Sequence, residues 1–219
     1  MRELYGFKEA DSNFERICGL LSCGYYGRTL CKNITLSPSF VEAISPCTDI
    51  PIDVHLMVEY PDDYLDALAR AGAGYLTPHA ECINKDAFRM INKIRTLGCK
   101  VGVGLNPATP LSYIKPYLQS IDKLTIMTVD PGFAGQPFIP EMVQKVKEAK
   151  CLKEENGYNY LIEVDGACNE KTYKSLYEAG AEVFIMGSSG LFGLDENLEA
   201  AWHKMTEAFQ RSTDIKAFA

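Results

Sequence analysis

The stretch Thr125-Ile-Met-Thr-Val-Asp130-Pro-Gly-Phe-Ala-Gly-Gln136 decides the fold. Its first half is a continuous apolar run with β-branched residues, which is typical of a strand buried on both faces. Its second half carries two glycines three residues apart and leads toward a helix expected to begin near Pro140. Such a strand, loop and helix present backbone N–H groups to an anion, usually a phosphate. For glycines alone a tight turn is the better interpretation, so the rest of the chain has to decide.

The same alternation of strand and helix recurs along the chain. Glycines that follow helical segments, such as Gly98 and Gly180, are typical helix caps that lead into the next strand. The pattern predicts a single domain over residues 1–219 with parallel β/α units, and it favours a (β/α)8 TIM barrel over a five-stranded flavodoxin-like sheet. The predicted strands are 52–58, 74–77, 100–105, 124–129, 160–164 and 183–186. The predicted helices are 61–71, 86–97, 110–118, 140–155, 170–179 and 196–209.

An eight-stranded barrel needs two more units in the first 50 residues. A helix is predicted over 39–44, after Ser37-Pro38. The segment 17–28 is interrupted by three glycines and would make a weak strand, and nothing before it resembles a first strand. We therefore expect a barrel whose first two strands are missing or disrupted, with an aberrant N-terminal segment at residues 1–30.

The composition excludes several classes of protein. The formal net charge of -7 argues against a nucleic-acid surface, which would be basic. No apolar run is long enough to cross a bilayer, and the N-terminus has no secretory pattern. The eight cysteines show no metal-binding spacing and are expected to be free thiols. These features predict a cytoplasmic protein with no membrane or nucleic-acid partner.

Polar residues lie where the predicted strands end, which is the functional face of a barrel. His55 and Asp165 are candidate ligands of a divalent metal ion such as Zn, Co, Mn or Mg. A lone histidine in an apolar strand is more simply a hydrogen-bonded core residue, whereas a buried carboxylate is costly without a partner. His79 and Glu81 are equally well explained as supporting partners and as the end of a loop. Met57 and Met127 fit core packing, with a dry lid over a reacting carbon as the alternative.

Two loops could hold a phosphate. One is the loop Gly132–Gln136 after the predicted sixth strand, and the other is Gly187–Ser189 after the eighth. The phosphate site of barrels generally lies near the last two strands, often at a short helix like the one predicted after Gly187. Together the two loops are a stronger indication than either alone.

Over residues 33–208 the chain resembles the ribulose-phosphate 3-epimerase family. The matching stretches occur in the family's order and cover most of the chain. Residues 130–142 and the pair Cys168-Asn169 are most similar to the allulose-phosphate branch of the family. The stretches are Asp53-Val-His-Leu-Met57, Gly102-Val-Gly-Leu-Asn-Pro107, the run from Met127 to Met142, Ile162-Glu-Val-Asp-Gly166 and Gly187-Ser-Ser-Gly-Leu-Phe192.

The resemblance implies a metal-dependent barrel that epimerises a phosphorylated ketose at C3 through a cis-enediolate. D-allulose 6-phosphate and D-fructose 6-phosphate are the implied pair, with ribulose and xylulose 5-phosphates as the alternative. Asp165 would be a metal ligand and one of two acid/base groups, and His55 would bind metal and substrate. A homo-oligomer is also expected. The implied substrate and phosphate contacts are Gly132, Phe133, Ala134, Gly135, Gln136, Gly166, Ala167, Gly187, Ser188 and Ser189.

The chain departs from the family at the second strand. The family carries a His-x-Asp motif there, which supplies two metal ligands and the other acid/base, and no such histidine occurs in this sequence. One back-translation of residues 18–28, read one nucleotide later, encodes Ala-Asp-Tyr-Phe-His-Val-Asp-Ile-Met-Asp. We hypothesise that about residues 10–28 are out of frame, and that activity and metal binding are reduced, which leaves an impaired phosphosugar-binding barrel as an alternative. Coding DNA unable to give His-Val-Asp in a neighbouring frame would refute the frameshift.

Overall fold

The computed structural model of the protein describes residues 21–26, 37–132 and 135–214, with only the backbone of residues 21–26. These residues form one seven-stranded parallel sheet in the order β1 to β7. The predicted parallel β/α barrel-type fold is confirmed. The strands are β1 Leu21–Tyr26, β2 Ile52–Met57, β3 Ala73–Pro78, β4 Lys100–Leu105, β5 Lys123–Met127, β6 Leu161–Asp165 and β7 Val183–Phe184. The α-helices are α1 Pro38–Ile44, α2 Asp62–Arg70, α3 Ala80–Ile83, α4 Ala87–Thr96, α5 Met142–Asn156, α6 Tyr173–Ala179 and α7 Leu198–Thr213.

The strand expected to be disrupted is present as backbone. β1 pairs with β2 in parallel over its whole length, with Ser22 opposite Asp53 and Gly24 opposite His55. Ladder hydrogen bonds use only main-chain groups, so a glycine-containing segment can still complete the edge of a sheet. The sequence of β1 therefore differs from the family motif while its backbone occupies a strand position. The other strand predicted to be missing or disrupted, the first of the barrel, would fall on residues outside the described part of the chain, so that prediction stays untested.

The strands divide their side chains between the helical layer and the barrel interior. Along β2, Val54 and Leu56 belong to the hydrophobic cluster that packs against the helices. Asp53 and His55 alternate with them and are also buried, so they lie on the opposite, inner face. This alternation places polar side chains inside the barrel and brings the carboxyl ends of the strands to one edge.

One predicted helix has a different form. Residues 110–118 form two 3-10 helices, Leu111–Tyr113 and Lys115–Ser120, instead of one α-helix. Tyr117 N donates to Ile114 O at 3.1 Å, which is the i to i−3 bond of a 3-10 helix. Pro116 lacks the N–H that an α-helix would need there, so the tighter helix replaces it.

Two expectations from composition can be compared with the structure. The cysteines whose side chains the structure describes are free thiols: Cys47, Cys82, Cys99, Cys151 and Cys168. Among the helices of the described residues, none combines the length and apolarity that a membrane span requires.

Candidate active site

The centre of the site is a contact between the two candidate metal ligands. Nδ1 of His55, on β2, lies 3.2 Å from Oδ2 of Asp165, the last residue of β6. The His55 side chain is 2% exposed and that of Asp165 is 21% exposed. A buried imidazole therefore faces a carboxylate that remains open at the barrel mouth.

A second histidine and a second carboxylate continue this contact on the other side of His55. Nε2 of His55 lies 2.8 Å from Nε2 of His79, and the two rings are nearly parallel. Nδ1 of His79 lies 3.5 Å from Oε2 of Glu81. His79 and Glu81 therefore contact the candidate metal ligand His55 directly or through one another, which favours the interpretation of the pair as supporting partners.

Glu81 is also tied to the loop that follows β4. Its Oε1 accepts hydrogen bonds from the backbone N of Asn106 at 3.0 Å and from the Thr109 hydroxyl. Lys145, on α5, donates to the carbonyl oxygens of Asn106 at 3.1 Å and Thr109 at 2.8 Å. This loop is thereby fixed beside the histidine pair.

Glu81 is expected to make the protein sensitive to acid. Burial raises its pKa, but hydrogen bonds from His79, Thr109 and the backbone outweigh burial and lower it to about 2. A carboxylate with a depressed folded-state pKa stabilises the protein above the unfolded value near 4.5, and this contribution is lost as the pH falls toward 2. We expect Glu81→Gln to cost at most about 3 kcal/mol at pH ~7, with the deficit shrinking below pH ~4.5. Urea unfolding of both proteins across this range measures it; a deficit that does not depend on pH would contradict it.

The loop after β6 carries two unusual backbone conformations. Gly166 has φ of 110°, and a Cβ there would lie 2.6 Å from Cγ2 of Val129. Ala167 has φ of 48°. Its carbonyl accepts from the side chains of Asn169 at 2.9 Å and Thr172 at 2.8 Å, which stabilises the turn. These bonds fix the backbone next to Asp165.

The loop after β7 forms a single helical turn, as the sequence predicted. Residues Ser188–Phe192 make one turn of π-helix, in which hydrogen bonding begins with Gly190 N to Gly187 O at 3.3 Å. The amides of Ser188 and Ser189 precede that first bond, as the first amides of a helix do. Nδ2 of Asn169 lies 3.3 Å from Oγ of Ser189, so the loops after β6 and β7 are in direct contact.

The loop after β5 is described in part. Gly132 has φ of 130° and Gly135 has φ of 81°, conformations that glycine adopts readily. The Gln136 side chain donates to the carbonyl of Asp130, which closes the loop. Phe133 and Ala134 lie outside the described residues, so their contact with a phosphate stays a prediction.

Met57 and Met127 are buried at the ends of β2 and β5, with exposures of 3% and 2%. Met127 is opposite Asp165 in the strand register. The positions of Met57 and Met127 suit either core packing or an apolar, water-excluding surface beside the site. Their role as a lid over a reacting carbon therefore stays a prediction.

A buried ionic cluster beneath the site was not predicted from the sequence. Nζ of Lys123 lies 2.6 Å from Oδ2 of Asp53 and 2.7 Å from Oε1 of Glu163. Thr77 donates to Asp53 at 2.6 Å, and Thr125 donates to Glu163 at 2.7 Å. The available signal was a charged residue inside each of three strongly apolar strands, because such charges are buried only when they are paired.

Together, the parallel β/α fold and the polar pair at its strand ends define a barrel enzyme with its site at the carboxyl edge of the sheet. Residues 27–192 match the model of the "Ribulose-phosphate 3 epimerase family". The chain belongs to that family.

Curated relatives agree with this assignment. A Bacillus subtilis protein named ribulose-phosphate 3-epimerase is 44% identical over 169 residues, which are 77% of this chain and 77% of that protein. A protein of the same name from Methanocaldococcus jannaschii is 40% identical over 164 residues, 75% of this chain and 68% of its own. These relatives are named as epimerases, which are isomerases.

Solved structures support the fold. The structure entitled "Crystal structure of KGPDC from Streptococcus mutans" is similar with a TM-score of 0.65 and 15% identity, over 92% of this chain and 90% of that one. A 3-hexulose-6-phosphate synthase from Salmonella typhimurium has a TM-score of 0.61 and 14% identity, over 91% of both chains. At these identities the similarity shows a common fold alone.

The metal ion implied by the family resemblance can be tested against the donors present. An imidazole nitrogen and a carboxylate oxygen 3.2 Å apart suit two neighbouring positions around a divalent ion. Among the residues that the structure describes, no group of three or more His, Cys, Asp or Glu side chains could hold a metal. On β1, the residues opposite Asp53 and His55 are Ser22 and Gly24, which are poor substitutes for His and Asp. The residues described therefore supply half of the implied ligand set and do not fit a complete one.

Proposed function

We propose that the site removes and returns the C3 proton of a phosphorylated ketose, the half-reaction of a 3-epimerase, with ribulose and xylulose 5-phosphates as the first substrates to test. The observation that carries the proposal is the His55–Asp165 contact at the carboxyl edge of the sheet. All the relatives described above carry names of ribulose-phosphate epimerases, which supports a pentulose phosphate.

In this proposal Asp165 is the base. Its carboxylate takes the proton from C3, and the electron pair of the broken C–H bond forms an enediolate across C2 and C3. Reprotonation by the same carboxylate returns the starting epimer, whereas inversion requires an acid on the opposite face. General acid catalysis contributes about 10²–10⁴-fold, so a chain without the second acid exchanges C3 hydrogen faster than it inverts C3.

Proton NMR in D2O separates the two events. We expect the C3–H signal of one epimer of a pair to disappear at least about 10²-fold faster than the other epimer accumulates. Asp165→Asn should abolish both processes, because it removes the base and keeps the volume of the side chain. Exchange and inversion at equal rates would contradict a single acid/base. No exchange with any substrate, with or without added Zn²⁺, Co²⁺ or Mn²⁺, would contradict the proposed function.

The loops after β6 and β7 are the proposed phosphate site, together with the loop after β5. Asn169 supports this proposal because it holds the turn at Ala167 and contacts Ser189. Ser188 and Ser189 are exposed residues, and their amides precede the first hydrogen bond of the helical turn, an arrangement that suits an anion.

A hexulose phosphate is the second candidate substrate. The pair Cys168-Asn169 and residues 130–142, which resemble the allulose-phosphate branch, favour it. Asn169 bridges the two loops that would surround the sugar phosphate, so it could distinguish substrates of different length. The exchange assay with D-allulose 6-phosphate and D-fructose 6-phosphate beside the pentulose phosphates gives the ratio of kcat/KM values that decides between them.

A further inference from the structure

Four side chains form a continuous series across the barrel mouth. From one side to the other they are Glu81, His79, His55 and Asp165, with successive distances of 3.5, 2.8 and 3.2 Å. The proposed function uses only the last pair. His79 directly follows β3 and Glu81 lies in α3. In the described part of the chain, their hydrogen bonds and ion pairs involve none of the residues of the proposed phosphate loops.

The series contains fewer protons than contacts. A neutral imidazole has one N–H, so two neutral rings supply two protons to three contacts. Both rings are almost fully buried, with exposures of 1% for His55 and 0% for His79. The two Nε2 atoms are only 2.8 Å apart, so one proton must lie between them, because two lone pairs would repel each other at that distance. The N–H of each ring therefore points in the same direction along the series, and one end is left with a nitrogen lone pair facing a carboxylate.

Burial decides which end lacks the proton. Nδ1 of His79 and Oε2 of Glu81 are both buried, and neither has another hydrogen-bond partner among the described residues. Two buried acceptors facing one another would leave both unsatisfied, which is costly. Asp165 is partly exposed at the barrel mouth, where water or a substrate hydroxyl can reach it. Although the Asp165 contact is the shorter of the two, the proton therefore belongs between His79 and Glu81.

A glycine on the neighbouring strand makes room for the paired rings. A Cβ on Gly104 would lie 2.9 Å from Cδ2 of His79 and 3.1 Å from Nε2 of His55. Contacts this short would push the rings apart. The absence of a side chain at this position is thus part of what allows the two Nε2 atoms to approach.

We propose that Glu81 and His79 are positioning residues, which hold His55 with its proton on Nε2 and its Nδ1 lone pair toward Asp165. With this tautomer, His55 Nδ1 and the Asp165 carboxylate are two acceptors that converge on one hydroxyl hydrogen or cation of the bound substrate complex. The functional meaning of this arrangement rests on the proposed function. Glu81 sets the direction and His79 transmits it to the site.

The tautomers can be measured directly in the protein without substrate or metal. The chain has three histidines, so a long-range ¹⁵N–¹H spectrum of labelled protein is simple, and His203→Gln identifies the third. At a pH where the rings are neutral, we expect His55 to be protonated on Nε2 and His79 on Nδ1. In Glu81→Leu the His55 proton should shift toward Nδ1. Thr109→Val, which removes only another Glu81 contact, should leave both tautomers unchanged.

Two results would overturn the proposal. One is a wild-type His55 protonated on Nδ1, and the other is a Glu81→Leu protein with unaltered tautomers. If Glu81→Leu does not fold, Glu81→Gln serves instead: its amide oxygen stays on the Asn106 N–H and its NH2 group donates to Nδ1 of His79. Both tautomers should then reverse, and unaltered tautomers there would count against the proposal. Because none of these spectra requires turnover, a failure of the proposed epimerase activity is recognised separately in the exchange assay.

Discussion

Ser22→His combined with Gly24→Asp is expected to convert this chain into one that binds a divalent metal tightly and inverts C3. The register between β1 and β2 places position 22 opposite Asp53 and position 24 opposite His55. Side chains in register on parallel strands emerge on the same face, so both new ligands would join His55 inside the barrel. The shifted translation of residues 18–28 places histidine and aspartate at these same positions.

The expected gain in metal affinity is large because the double variant adds two ligands to the two already present, His55 and Asp165. Structural zinc sites with four ligands contribute about 10–16 kcal/mol, or at least about 2.5 kcal/mol for each ligand. Two added ligands should therefore tighten Co²⁺ or Zn²⁺ binding by about 10³-fold or more. Inversion at C3 should rise by about 10²–10⁴-fold, since the new aspartate supplies the second acid.

Calorimetry and the visible spectrum of bound Co²⁺ measure the affinity. The single substitutions serve as matched controls: Gly24→Asp alone should recover part of the inversion, and Ser22→His alone only metal affinity. Adding Asp165→Asn to the double variant should abolish turnover again. A folded double variant that binds Co²⁺ no better than the natural chain would show that β1 does not present these positions to the site.

The residue at which the family match starts agrees with the hypothesis that about residues 10–28 are out of frame. The match begins at residue 27, directly after β1, although β1 occupies a strand position in the sheet. Backbone pairing needs no particular side chains, whereas a family model depends on them. A segment whose backbone fits and whose side chains do not is what an out-of-frame stretch within an intact barrel would produce.

The sequence predicted those features that depend on local patterns. The six strands from β2 to β7 were recognisable because apolar runs of strand length alternate with capped helices. The helix over 110–118 was mispredicted in type because the effect of Pro116 on hydrogen bonding outweighed the apolar pattern. β1 was judged weak from its glycines, yet pairing with β2 outweighs its low propensity.

The site was predictable where chemistry lies at a strand end, and unpredictable where it depends on distance through space. His55 and Asp165 were identified, and the structure brings them together. That His79 contacts His55, and that Gly104 leaves room for the contact, follows only from the register of three strands. Local sequence gives no measure of such distances.

Lys123→Met is expected to destabilise the protein by about 3–5 kcal/mol, because it leaves two buried carboxylates without their shared cation. Lys123 is completely buried between Asp53 and Glu163, and these two carboxylates raise its pKa in spite of desolvation. Burial, together with the negative charge of Asp53, raises the pKa of Glu163 in spite of Lys123. Burying the charged cluster therefore costs free energy, and removing only one of its charges costs more.

The matched control removes all the charges while keeping hydrogen-bond partners for the two threonines. The triple variant Asp53→Asn, Lys123→Met and Glu163→Gln should recover most of the lost stability, since replacing a complete buried ion cluster is often neutral or stabilising. The difference between the sum of the single effects and the triple effect gives the coupling within the cluster. Urea unfolding measures each value. Equal losses in the single and triple variants would mean that Lys123 contributes packing and not charge.

The pH dependence gives a second test of the same cluster. Lys123→Met removes the main group that lowers the pKa of Glu163, while burial and the charge of Asp53, which raise it, remain. Stability is then present while the carboxyl is protonated and is lost as the pH rises above the unfolded value near 4.5. The deficit relative to the natural chain should thus grow as the pH rises above 4.5, whereas the Glu81→Gln deficit changes below that value, between 4.5 and about 2. Asp53 and Glu163 lie two residues before His55 and Asp165 on the same strands, about 6–7 Å deeper in the barrel. By joining β2, β5 and β6 at that depth, Lys123 fixes the spacing of the strands that carry the His55–Asp165 pair, so the loss of stability should be accompanied by a loss of the His55 tautomer preference.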